Sequence, residues 1–111
     1  MSSPDGDAPI VCDLSVFTAA ERTDHLTRGR RLFSTAEAVR EDTDGYSFTF
    51  ARTSALDAEV ALWVENERRC CPFFRFDVRH AAGARLILAV SGPGAAKEIL
   101  RAAIEEYAVV G

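Results

Sequence analysis

Residues 63–76, Trp-Val-Glu-Asn-Glu-Arg-Arg-Cys-Cys-Pro-Phe-Phe-Arg-Phe, constrain the fold more than any other stretch. A helical pattern runs into Pro72, which cannot continue a helix and disfavours helical backbone at the residue before it. An aromatic, strand-like run follows at once. The chain must therefore carry a helix-to-strand junction with two adjacent cysteines at its corner.

The segments on either side fix the rest of the expected order. Ile10 to Leu14, which contains Cys12, reads as a short strand. Thr18 with Glu21 forms a capping box, in which each side chain satisfies a free backbone N–H of the other, and so opens a first helix. Leu26, Phe33 and Ala36 give it a thin apolar stripe, with Arg22 and Arg30 at its edges. His25 lies off that stripe and is expected in solvent. Gly29 weakens this helix and marks a place where another backbone can approach.

Ala38 to Glu41 and Tyr46 to Ala51 read as strands around Asp42-Thr43-Asp44-Gly45. Tyr46, Phe48 and Phe50 alternate with Ser47 and Thr49, so one face is buried. Ser54 with Asp57 reads as a second capping box, opening a helix that ends before Pro72. Strands over residues 73–79 and 85–90 flank a turn at His80-Ala81-Ala82-Gly83. A last helix opens at Pro93 with a stripe of Ala96, Leu100, Ala103 and Tyr107.

These elements predict a single α+β domain over residues 9–111, in the order β-α-ββ-α-ββ-α, behind a disordered leader over residues 1–8. A mainly antiparallel sheet would carry about three helices on one face. The other face would be open, or would pair with a second copy in a homodimer. The helix–hairpin unit occurs twice, which is compatible with a distant internal repeat.

On the second helix, each residue advances about 100°. With Leu56 as origin, Val60, Trp63 and Val64 define a buried stripe, and Glu67 falls in its middle at about 20°. Cys70 and Cys71 follow at i+3 and i+4, where side chains meet. A carboxylate on a buried stripe needs a partner. One reading joins Glu67 to the two thiols in a site. The other pairs it with an arginine such as Arg22, Arg30 or Arg85, with the cysteines serving as core filler.

The thiols sit at the helix C-terminus, where the dipole is negative. That end disfavours a thiolate nucleophile and favours a bound cation. The preferred expectation is therefore a soft metal ion held by Cys70, Cys71 and Glu67, with Cys12 and His80 as candidate further ligands. Two alternatives stay open: a thiol redox protein or cysteine-dependent enzyme, and a non-catalytic interaction module with structural cysteines. His80 also has the plainer reading of a surface histidine at a turn. The basic cluster at residues 28, 30 and 31 reads as a solvated face.

Charge and composition narrow the class. The formal charge of −4 argues against a general nucleic-acid binder. No apolar run approaches the roughly 20 residues needed to span a membrane, and the polar, acidic start does not resemble a signal peptide. Three cysteines, an odd number, fit free thiols in a reducing compartment, which predicts a cytoplasmic protein.

The run at residues 67–76, Glu-Arg-Arg-Cys-Cys-Pro-Phe-Phe-Arg-Phe, resembles a motif of a family of small uncharacterised bacterial proteins. The hairpin half at 44–50, the strand-to-helix junction at 88–100 and Cys12 ahead of the first capped helix resemble the same family. The resemblance implies a free-standing domain and no particular activity.

Overall fold

The computed structural model describes residues 12–110, with side chains to residue 106. It contains three α-helices, α1 (Ala19–Phe33), α2 (Ser54–Cys70) and α3 (Ala96–Val110), and four strands, β1 (Ala38–Glu41), β2 (Gly45–Ala51), β3 (Arg75–Ala81) and β4 (Arg85–Ser91). The class is α+β, as expected. The leader and residues 10–11 of the expected first strand lie outside the described residues. The rest of that segment is not strand: Leu14–Val16 is a single 3-10 turn, capped by the Asp13 carboxylate accepting from the Ser15 N–H at 3.0 Å.

The capping box at Thr18 and Glu21 forms in both directions, at 2.9 and 3.1 Å. The second helix starts at Ser54, as the pattern suggests, but its cap differs. Thr53 rather than Ser54 is its cap, accepting from the Leu56 N–H, and Asp57 pairs instead with Arg52. At the far end Pro72 occupies a turn closed by the Phe74 N–H on the Cys71 carbonyl. This turn delays β3 to Arg75, two residues later than expected. A similar turn over residues 93–96 delays α3 to Ala96.

The sheet is antiparallel throughout, in the order β1-β2-β4-β3. Phe48 pairs with Leu88 at its centre, flanked by Tyr46 with Val90 and Phe50 with Leu86. These pairs lie symmetrically about Phe48 and Leu88, and each hairpin places its second strand inward. The two hairpins are thus related by an approximate two-fold axis through the sheet. Gly45 is required where β2 begins, because a Cβ there would lie 1.9 Å from the Val90 carbonyl oxygen. The β3–β4 turn holds Gly83 and Ala84 at φ of 77° and 54°, so a non-glycine residue occupies the left-handed region.

The inward residues of β2 and β4 form one core with Val60, Trp63 and Val64 of α2, Leu32 of α1 and Ala96 and Leu100 of α3. By the alternation of strand side chains, Ser47, Thr49, Ile87 and Ala89 lie on the opposite face. Arg28 and Arg31 do not form a free basic face: both bind Glu59, at 3.0 and 3.1 Å, and join α1 to α2.

Candidate functional site

Helix α1 buries a wider face than the expected stripe: Phe33 packs against Phe48, Phe50 and Trp63 as expected, but the fully buried positions lie one residue earlier. His25, Gly29 and Leu32, at i, i+4 and i+7, face inward, and His25 is only 2% exposed. The expectation of a solvated His25 is therefore corrected. Its ring lies 5.3 Å from the Phe17 ring and 6.3 Å from that of Trp63. Its Nε2 reaches Oε2 of Glu67 at 2.5 Å. Glu67, 13% exposed, does occupy the buried side of α2, but its partner is this histidine. Of the arginines considered, Arg22 reaches the Leu14 carbonyl and Arg85 pairs with Glu37.

Cys70 completes the group. Its Sγ lies 3.6 Å from Oε2 of Glu67 and 3.5 Å from Sγ of Cys71. One ligand atom from each of His25, Glu67 and Cys70 falls within 4.8 Å of the others. Cys70 is 1% exposed. Burial, reinforced by the Glu67 charge and hydrogen bond, pushes its thiol up to about 12. At neutral pH Cys70 is thus a thiol and a poor nucleophile.

Cys71 is not free. It forms a disulfide with Cys12, 59 residues earlier in the chain. The expectation of three free thiols holds only for Cys70. Cys12 is exposed, whereas Cys71 is buried. His80 does not join the cluster. It is exposed on β3, with Nε2 3.9 Å from Asp57 in the first turn of α2. From Asp57 to Cys70 that helix rises about 20 Å.

The donor set is one imidazole nitrogen, one carboxylate oxygen and one thiol sulfur. Three such ligands with an open position are the pattern of zinc sites that accept a further ligand. Zinc at ordinary bond lengths separates tetrahedral ligand atoms by about 3.3–3.8 Å. The Cys70–Glu67 separation of 3.6 Å already matches. The His25–Glu67 pair is hydrogen-bonded and would need to open by about 0.8 Å. Nδ1 of His25 is buried without a hydrogen-bond partner, a rare state for a ring nitrogen. Beside the group lies a cavity of about 40 Å³ lined by Cys12, Glu67, Trp63 and apolar residues of α3. It is large enough for at least one water.

No family model, curated protein or solved structure matches this chain. Among the described residues, no helix is long and apolar enough to cross a membrane.

Proposed function

We propose that this protein is a binding protein for a soft or borderline metal ion, held by His25, Glu67 and Cys70 near the C-terminus of α2. The observation that carries this reading is the convergence of three different donor types within 4.8 Å, from two helices, in a buried setting. A buried imidazole, carboxylate and thiol are each costly to bring together unless they share a task or satisfy one another. The negative helix end adds a field that favours a cation.

Native mass spectrometry of the folded protein, titrated with Zn²⁺ and with Cd²⁺, tests this. Tight one-to-one uptake by the wild type, weakened in both His25→Ala and Cys70→Ser, supports the site. Equal uptake by all three proteins, or none by any, refutes it.

A second reading is thiol–disulfide chemistry, favoured by one contact: the Cys70 sulfur 3.5 Å from the disulfide sulfur of Cys71. The raised Cys70 thiol weighs against it.

A further inference from the structure

We propose that the Cys12–Cys71 disulfide is a redox gate on the metal site, so that reduction converts a one-sulfur site into a three-sulfur site selective for thiophilic ions. This inference rests on the metal-binding reading above and adds its regulation and its preferred class of ligand.

With the disulfide closed, the sulfurs of Cys12 and Cys71 are spent on each other, and the site offers only His25, Glu67 and Cys70. Opening the bond releases Cys71 Sγ at 3.5 Å from Cys70 Sγ, close to the separation of two thiolates on one tetrahedral ion. Cys12, the partner in the same bond, is released beside it. Thiolate ligands favour soft ions over magnesium- or calcium-like ones.

The segment bearing Cys12 is held in place by contacts other than the disulfide. The Asp13 N–H donates to the Cys70 carbonyl at 2.7 Å. The Arg69 guanidinium donates to the Val16 carbonyl at 3.0 Å and lies over the Phe17 ring at 4.7 Å. Phe17 is itself buried against His25. Reduction therefore frees two sulfurs without removing Cys12 from the end of α2.

Cys12 is exposed while Cys71 and Cys70 are buried, so an incoming thiolate meets the disulfide from the Cys12 side. The reductant is a dithiol. Its thiolate attacks Cys12 Sγ, the Cys12–Cys71 bond breaks, and Cys71 leaves as a thiolate that takes up a proton. The second thiol of the reductant then displaces Cys12, leaving the reductant as a disulfide. Two electrons and two protons pass to the protein. A divalent ion binding afterwards displaces the thiol protons to solvent.

The test is a Cd²⁺ titration followed by the ultraviolet thiolate-to-cadmium charge-transfer band, on the full chain in two forms: disulfide-closed, and dithiol-reduced then freed of reductant under nitrogen. Circular dichroism confirms the fold of each. The expected result is a native fold in both, at least about 100-fold tighter Cd²⁺ binding by the reduced form, and a charge-transfer band about three times as intense. Cys12→Ser, which cannot close the bond, should bind with an intermediate band whether or not a dithiol was used. Equal affinity and equal band intensity in the two forms, both lost in His25→Ala, would overturn the gate while leaving the metal site standing. No binding by either form would overturn both. A reduced chain that loses its fold would overturn the gate, because the disulfide would then be what holds the segment.

Discussion

His25 and Glu67, 42 residues apart, meet at 2.5 Å between two helices and join α1 to α2 through a buried polar contact. Among the described residues neither side chain has an equivalent alternative partner: Nδ1 of His25 is unbonded, and the Glu67 carboxylate otherwise meets the weak donor Cys70. Removing either residue leaves the other buried and under-satisfied. Each of His25→Ala and Glu67→Ala should cost about 1–3 kcal/mol in urea unfolding. The double variant should cost less than the sum by at least about 1 kcal/mol. Strict additivity would show that the contact contributes nothing to stability.

The Cys70 thiol sets an alkaline limit. Its folded value is about 12 against an ordinary 9.0, so between these values the folded state holds a proton that the unfolded state has released. Stability from this group is complete below pH 9.0 and is lost as pH rises toward 12, at up to about 1.4 kcal/mol per pH unit. Cys70→Ser should flatten that limb of the stability profile. Iodoacetamide should label native Cys70 slowly at neutral pH and quickly once urea unfolds the chain. Equal labelling rates in the two states would contradict the burial.

Closing a loop of 59 residues restricts the unfolded chain by about 4 kcal/mol in the chain-entropy treatment. Dithiol reduction should lower the unfolding free energy by about that amount while leaving the far-ultraviolet circular dichroism unchanged under native conditions. A reduction without any stability loss would mean that the anchored segment stays close to α2 even in the unfolded ensemble.

Ala84 sits at φ 54° in the β3–β4 turn, with its carbonyl accepting from the Arg52 N–H at 2.8 Å. The left-handed region costs an ordinary residue about 1 kcal/mol. Ala84→Gly removes that cost but increases unfolded-chain freedom, so the net gain expected is about 0.5 kcal/mol, read as a higher urea midpoint. A lower midpoint would show that the methyl group matters more than the strain.

At the acid end, Glu21 is held below its ordinary 4.5, first by the Thr18 backbone N–H of the capping box. Asp42 is held below 3.8, first by the Ser47 hydroxyl and then by Arg40. Both carboxylates support the fold above their ordinary values and lose that support as pH falls through their lower folded values. Thr18→Ala should cost about 1 kcal/mol at neutral pH. Glu21→Gln should reduce the acid slope, and an unchanged slope would remove this account.

Local chemistry made most of the fold legible. Thr18 with Glu21, the alternation of Tyr46, Phe48 and Phe50, and the stop at Pro72 each act within a few residues, and each gave its element. The wheel also placed Glu67 on the buried side of α2. His25 was misplaced because its burial depends on that distant carboxylate, and because Leu26 and Phe33 mark only one edge of the face that α1 buries. The spacing of His25, Gly29 and Leu32 was an available signal. A buried Glu67 seeking a partner pointed toward histidines as well as arginines. The Cys12–Cys71 bond joins residues with no shared local pattern, and an odd cysteine count hid a single pair.

The tie between Asp13 and Cys70 also has a consequence for biosynthesis. Cys12 leaves the ribosome 59 residues before Cys71. At ordinary elongation rates that is roughly 3–12 s during which its thiol has neither its partner sulfur nor the end of α2 to dock against. The segment that closes over His25 is thus made well before the helix end that seats it. A nascent chain stalled before residue 70 would present Cys12 to every oxidant and stray thiol in its surroundings.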